Sequence, residues 1–507
     1  MPEKLGVGGE NDCSGHTGKR GKEASRGLAA IGACNGMSIG NNSTSNKSGV
    51  ARKTPGGPRE AALNVLLKVD RHGAYSGLEL NRVLSEASLS RQDTALATEI
   101  VYGTIQRLNT IDYVLKGRVK GWPNKVEPWV RSLLRLSYYQ LRWLDRVPAH
   151  AVTDEAVRIA KKRGHAGIAG LVNGVLRGLL REGLTPTLPA GLPEAERIAL
   201  EHSHPEWLVR RWMNAFGPEA AEAMCEAGNE PPHGSVRVNP LRISREALLE
   251  EMRERDIYAK PSKLAPGGIV ASRAGNLAAT DWYREGRLTV QDESSMLVAA
   301  VADPKPGMRV LDCCAAPGGK TTHLAELMGN EGEVLANDVH PHKEQLIARQ
   351  AERLGLSCVR TTVGDAAELA GKLPAASMDV VLLDAPCSGF GVIRRKPEIK
   401  WNKREEDIAS LASLQAELLE RVHGLVRPGG TLVYSTCTIA REENEEAVLR
   451  FLEKHPNYML DANWPEEIVQ ALKRGRALPE PFAGMVQLLP HQFGSDGFFI
   501  AKLKRLE

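Results

Sequence analysis

No stretch of this 507-residue chain strings together the roughly 18 apolar residues that a membrane span requires. The N-terminus lacks the basic, apolar and small-residue succession of a signal peptide, so neither anchoring nor export is expected. The eight cysteines (Cys13, Cys34, Cys225, Cys313, Cys314, Cys358, Cys387 and Cys437) form no C-x-x-C pair and no zinc-ligand spacing. His340 and His342 read as ordinary residues at a helix start. No metal centre is therefore expected, and reduced thiols in a cytoplasmic chain are the simplest reading. What is present is a composition of 42% hydrophobic and 25% charged residues, that of a globular protein. The length leaves room for two to four domains.

Two of the cysteines sit in polar motifs of their own. Cys387 lies in DVVLLDAPCSGFGVIRRKPEIKW (379–401) and Cys437 in LVYSTCTIAREENEEA (432–447). Each follows an apolar, β-branched run that reads as a buried parallel strand. Ends of such strands face the ligand crevice of an open sheet, so two thiols 50 residues apart are expected at one pocket. A lone cysteine is more often a buried structural residue; the Asp-Ala-Pro-Cys-Ser-Gly and Ser-Thr-Cys-Thr settings argue against that here. A thiol pair suits chemistry at carbon 5 of a pyrimidine. A thiolate adding to carbon 6 makes carbon 5 nucleophilic, and a second group then helps remove the carbon-5 proton so that the first thiol can leave.

VLDCCAAPGGKTTHLAELM (310–328) runs strand, Gly-rich turn, helix, with the strand expected over 308–311 and the helix from about Thr321. It differs from a phosphate-binding P-loop, because Cys314 holds the position of that motif's first glycine and Pro317 sits mid-loop. The following strands end in acidic residues: Asp338 after EVLAN, Asp365 after CVRTTVG, and Asp384 before the first cysteine motif. A carboxylate at the end of the second strand is placed to bind ribose hydroxyls. Asp365 is placed to accept from an adenine amino group. Together these point to a nucleoside cofactor.

In this order, with the closing DGFFIAKLKR (496–505), the motifs resemble those of the Sun/Fmu family of RNA cytosine-C5 methyltransferases, and within it the enzymes acting on small-subunit (16S) ribosomal RNA. The resemblance covers the chain from about Pro58 to Glu507. It implies S-adenosyl-L-methionine as cofactor, held by Cys314, Ala315, Ala316, Pro317, Gly318, Gly319, Lys320, Asp338, Asp365 and Asp384. It implies Cys437 as nucleophile and Cys387 as the group assisting release. Asp384 is the candidate for orienting the base. The implied fold class is α/β: a Rossmann-like class I methyltransferase domain preceded by an all-α NusB-like domain and a small α/β linker subdomain. Two alternatives stay open: the same reaction on transfer RNA or large-subunit (23S) RNA, and a non-catalytic RNA-binding assembly factor.

Four segments are expected. Residues 1–52 are Gly-, Ser- and Asn-rich and read as a disordered tail. Residues 55–185 read as amphipathic helices, 186–285 as a bridge with a strand–loop–helix unit, and 286–507 as the catalytic domain. Net charge of +4 hides an asymmetry. Residues 52–182 carry 22 Lys and Arg against 12 Asp and Glu, whereas 183–507 carry 38 against 46. A basic helical module delivering RNA to an acidic catalytic domain fits that split. Candidate RNA contacts are Arg59, Arg107, Arg131 and Arg135 in the module, Arg237, Asn239 and Arg242 in the bridge, and Arg394, Arg395 and Lys396 after Cys387. The chain is expected to act as a monomer on ribosomal RNA, free or in an early assembly intermediate.

Overall fold

The computed structural model describes residues 56–72, 76–272, 274–475, 477 and 482–507; the expected tail 1–52, with Cys13 and Cys34, lies outside them. Among the described residues no helix is long and apolar enough to cross a membrane.

The first unit is all helical, with helices Pro58–His72, Ser76–Glu86, Arg91–Gln106, Leu108–Lys116, Pro128–Trp143, Ala149–Arg163 and Ala166–Glu182. Their apolar stripes, such as Ala62, Val65 and Leu66 or Leu133, Leu134 and Leu136, close on one core. The amphipathic run 91–115, periodic throughout in sequence, forms two helices. Arg107 ends the first, and Asn109 and Thr110 spend their side chains on the next unit, the Thr110 hydroxyl donating to Leu200 O at 2.6 Å. Those tertiary bonds turn the chain where periodicity continues unbroken.

Helices Glu194–Glu201, Glu206–Phe216 and Pro218–Ala227 lead to a small sheet of β1 (Gly234–Val238), β2 (Tyr258–Pro261), β3 (Gly268–Ser272) and β4 (Leu288–Val290), ordered β2-β3-β1-β4 and antiparallel throughout. β4 runs directly into the apolar segment that forms the next helix, Glu293–Ala302. The helix itself begins at Glu293, where Asp292 accepts the Ser294 N–H at 3.0 Å and caps it.

The third unit is an open sheet of β5 (Arg309–Asp312), β6 (Glu333–Asp338), β7 (Val359–Val363), β8 (Met378–Asp384), β9 (Val426–Thr436), β10 (Tyr458–Leu460), β11 (Met485–Leu488) and β12 (Phe498–Arg505). The order is β10-β12-β9-β8-β5-β6-β7, with β11 also on β12. β5 to β9 run parallel and β12 is antiparallel to β9. β8 and β9 are near-continuous apolar runs because helices cover both faces. The strand order reverses between β5 and β8, so the crevice opens at the C-terminal ends of those two strands.

The helical unit docks on the segment after Cys387. Glu398 accepts the Ser76 N–H at 3.1 Å and its hydroxyl at 2.8 Å. Lys400 Nζ, fully buried, donates to Gln106 O at 2.9 Å and Ser203 O at 2.6 Å, and the Trp401 indole N–H donates to Ile105 O at 2.8 Å. Burial, with a smaller push from Arg107, holds the Lys400 ammonium far below the ordinary lysine range.

Candidate active site

The switch-point crevice is built from the turns that follow β5, β6, β7, β8 and β9. After β5 the chain turns through residues 313–318 and enters the helix Gly319–Leu327, two residues earlier than expected. Gly318 has φ +103°, and a Cβ there would stand 3.2 Å from Ile347 Cα. Only glycine lets the turn pass that close to the neighbouring helix. The Thr321 hydroxyl donates to Asp312 Oδ2 at 2.7 Å and closes the base of the turn. Burial pushes the Asp312 carboxyl up to about 7.

At the end of β6, Asp338 reaches back to the turn. Its Oδ2 accepts the Ala316 N–H at 3.4 Å and its Oδ1 accepts the His340 N–H at 3.0 Å. Asp365, at the end of β7, is exposed and accepts the Ala367 N–H at 2.9 Å. Exposed Val339 and Val363 lie beside these two carboxylates in the chain. Cys314, between them and β5, is raised well above the ordinary thiol range, first by burial and then by Asp312, Asp338, Asp384 and Asp365. Four carboxylates therefore converge on one small volume. A cationic ligand bearing ribose hydroxyls and an amino group suits that volume, and S-adenosylmethionine carries a positively charged sulfonium and an ammonium.

β8 and β9 are paired in register, with Asp384 opposite Ser435, so the residues just beyond them come together. Cys387 Sγ and Cys437 Sγ are 3.5 Å apart. The two turns are tied by backbone: Ala385 N–H donates to Ser435 O at 2.8 Å and Gly391 N–H to Cys437 O at 3.0 Å. A Cβ on Gly391 would meet Gly497 O at 1.9 Å, so only glycine fits between the Cys437 turn and the DGFF segment. Lys320 Nζ pairs with Asp384 Oδ2 at 2.7 Å, while the Ser435 hydroxyl donates to Asp384 Oδ1 at 2.8 Å. Burial pulls the Lys320 ammonium down, but Asp384 outweighs it, with smaller help from Cys437 and Asp312, and the net shift is upward. Lys320 thus keeps a positive charge near Cys437. The structure brings together Cys387, Cys437, Asp384 and Lys320, with the β5 turn, Asp338 and Asp365 around them. Ser435 and Gly391 belong to the same constellation. Ser435 is the first residue of the Ser-Thr-Cys-Thr motif, whereas no motif singled out Gly391, although it lies inside the quoted Cys387 segment.

Several expected RNA contacts are instead used inside the protein. Arg135 is buried, bonding Asp112 Oδ1 and Oδ2 at 2.8 and 2.7 Å. Arg131 pairs with Asp70, Arg59 Nε donates to Gln140 at 2.7 Å, and Arg107 lies over the Trp143 ring. Arg237 is 1% exposed. It bonds Glu326 at 2.7 and 2.9 Å and Gly319 O at 2.8 Å, both on the helix that follows the β5 turn. Asn239 is buried and donates to Gly286 O. Arg394 is buried against Gly494 O, and Arg395 bonds Asp292 and Asp496 at 2.6 and 2.8 Å. The reason is common to the arginines: a guanidinium beside an apolar run is drawn in when a carboxylate or carbonyl is available to pair it. Arg242 stays exposed. Two triads of the described residues, Glu420–His423–His455 and Glu201–His202–Glu222, bring ligand atoms within 4.8 Å of one another; neither includes a residue of this site.

Comparison with known proteins agrees with the three-part architecture. The profile described as 16S rRNA methyltransferase RsmB/F matches residues 299–504, that of the NusB family 57–181, and the ferredoxin-like domain of RsmF/B-like methyltransferases 204–278. The probable ribosomal RNA small subunit methyltransferase B of Bacillus subtilis is 44% identical over 88% of this chain and 98% of its own. The chain belongs to the RsmB/F family of rRNA methyltransferases. The Synechocystis relative of the same description is 35% identical over 88% of this chain and 99% of its own. A crystal structure described as PH0851 is 29% identical, with a TM-score of 0.73 over 88% of this chain and 99% of that one. A methyltransferase homologue from Pyrococcus horikoshii is also 29% identical, with a TM-score of 0.53 over 62% of this chain and all of that one. Family membership makes the chain an S-adenosylmethionine-dependent methyltransferase that binds RNA. The NusB-like unit, the ferredoxin-like linker and the Rossmann-like domain are its three parts.

Proposed function

We propose that this enzyme methylates carbon 5 of a cytosine in 16S ribosomal RNA, with Cys437 as the nucleophile. The observation that carries the reading is the 3.5 Å spacing of two thiols at the ends of adjacent parallel strands, beside the Lys320–Asp384 pair. The small-subunit substrate is what the RsmB/F description and the B. subtilis relative's name supply.

The residues divide the work as follows. S-adenosylmethionine supplies an electrophilic methyl group, and the β5 turn, Asp338 and Asp365 hold it. Cys437 adds to carbon 6 as the thiolate, favoured by Lys320, and its electron pair moves the ring's density onto carbon 5. Carbon 5 then takes the methyl group, whose bond to the cofactor's sulfur breaks with its electron pair left on sulfur. Cys387, in contact with Cys437, assists removal of the carbon-5 proton. The electrons of that C–H bond restore the ring double bond and expel Cys437. Asp384 has both oxygens engaged with Lys320 and Ser435, so it acts as an ion-paired acceptor that fixes the ammonium and faces the base. A stacked base must first leave its helix at a cost of a few kcal/mol, which a single-stranded loop reduces.

Mapping 5-methylcytosine in ribosomal and transfer RNA from cells with and without the gene tests this. Loss of a single small-subunit site is expected. Loss in transfer RNA or large-subunit RNA instead would assign the same chemistry to another substrate.

A further inference from the structure

Each catalytic cysteine is followed by a hydroxyl residue: Ser388 after Cys387 and Thr438 after Cys437. These hydroxyls are 2.7 Å apart. Both lie against one fully buried carboxylate, that of Glu443, which follows Cys437 in the REENEE run (441–446).

Glu443 Oε2 accepts the Ser388 N–H at 2.8 Å and the Gln415 amide at 2.9 Å. The Ser388 hydroxyl donates to its Oε1, and Thr438 Oγ1 stands 3.5 Å from the same oxygen. Gln415 also donates to Pro386 O at 2.9 Å, so the Cys387 turn is gripped on both sides of the cysteine. Glu443 is itself fixed: the Tyr434 hydroxyl donates to its carbonyl at 2.6 Å, and the next residue, Asn444, donates to Thr438 O at 3.0 Å. A buried carboxylate is costly unless its lone pairs are met. Here donors from both cysteine turns meet it, which is the arrangement an acceptor-only group can bridge. Burial raises the Glu443 carboxyl, and the bonds from Ser388 and Gln415 oppose that shift.

We propose that Glu443 is a positioning residue that sets the spacing of the Cys387 and Cys437 thiols by bridging Ser388 and Thr438. The proposal rests on the two-thiol reading above. Glu443 acts through the residues that follow the two cysteines.

The test uses the full chain and three readouts: S-adenosylmethionine affinity by calorimetry, single-turnover methylation of RNA, and the rate at which diamide joins Cys387 to Cys437. In the last, each thiol gives up a proton and an electron, an S–S bond forms, and the diazene is reduced to the hydrazine. Glu443→Ala is expected to slow methylation about 100-fold, the order of loss that follows a misplacement of about 1 Å. It should slow cross-linking about tenfold or more, by the same loss of proximity, and leave cofactor affinity within about threefold. Glu443→Gln keeps an acceptor for the two N–H donors, while the two hydroxyls can turn to accept its amide, so it should recover most of both rates. Should Glu443→Ala fail to fold, Ser388→Ala with Thr438→Val cuts the same bridge and should reproduce both losses. Wild-type methylation in Glu443→Ala overturns the proposal. So does slow methylation with an unchanged cross-linking rate, or loss of cofactor binding in step with activity in the folded variants. Full methylation by Cys437→Ala would instead remove the two-thiol reading, and the cross-linking rates would still report on Glu443.

Discussion

Two pairs of cysteines sit a few residues from the same crevice and have opposite surroundings. Cys313 and Cys314 are neighbours in sequence at the end of β5. Both are raised well above the ordinary thiol range, Cys313 by burial and then by Cys314 and Asp312, Cys314 by burial and four carboxylates. Cys387 and Cys437 are 50 residues apart, yet their sulfurs are 3.5 Å apart, with the Lys320 ammonium close to Cys437. Sheet topology, not adjacency in the chain, brings two of these sulfurs together. The contrast also divides the crevice by charge: a negative end suited to a cationic cofactor and a thiol end served by a cation.

The sharpest break in that comparison is Cys437→Ala. It should lower methylation by about 1,000-fold or more and leave no covalent RNA complex on a denaturing gel, because nothing remains to activate carbon 5. Cys387→Ala should lose turnover while accumulating a protein–RNA adduct. An adduct in Cys437→Ala and none in Cys387→Ala would exchange the two roles. At the cofactor end, Asp338→Ala should weaken S-adenosylmethionine about tenfold or more by calorimetry, since hydrogen bonds to a charged group contribute about 1.5–3 kcal/mol. Unchanged affinity would take Asp338 out of the cofactor site. Cys314→Ser should alter turnover less than about fivefold, because its thiolate is disfavoured and does no chemistry. A thousandfold loss there would erase the distinction between the pairs.

The smallest effect concerns pH. Asp312 holds its proton in the folded chain up to about 7, whereas the unfolded chain releases it near 3.8. Its contribution to stability is therefore complete below 3.8 and is lost as pH rises to about 7. Asp312→Asn, which keeps an acceptor for Thr321, should flatten the fall of Tm across that window. An unchanged slope in a thermal scan series would show that Asp312 ionises as readily in the fold as outside it.

The parallel strands were legible because a strand covered on both faces is an unbroken apolar run, as in VVLLD and TLVYST. The acidic strand ends and the Gly-rich turn followed from the crevice rule. Three things were hidden. The break at Arg107 depends on Asn109 and Thr110 bonding a helix 90 residues away in sequence. The roles of Arg135, Arg237 and Arg395 depend on carboxylates brought in from elsewhere, so their internal pairing could not be read from the sequence. Glu443 looked like one more charge in an acidic run, and only the meeting of two turns marks it out.

The docking of Ser76 on Glu398 spans 322 residues. During synthesis at about 5–20 residues per second, the helical unit emerges and can fold tens of seconds before its partner segment exists. Its own contacts are local, which favours early and fast folding. For that interval the carbonyls of Ile105 and Gln106 are met by water rather than by Trp401 and Lys400. Assembly of this enzyme is thus a two-stage event in time, and the segment that completes it is the one that begins at Cys387.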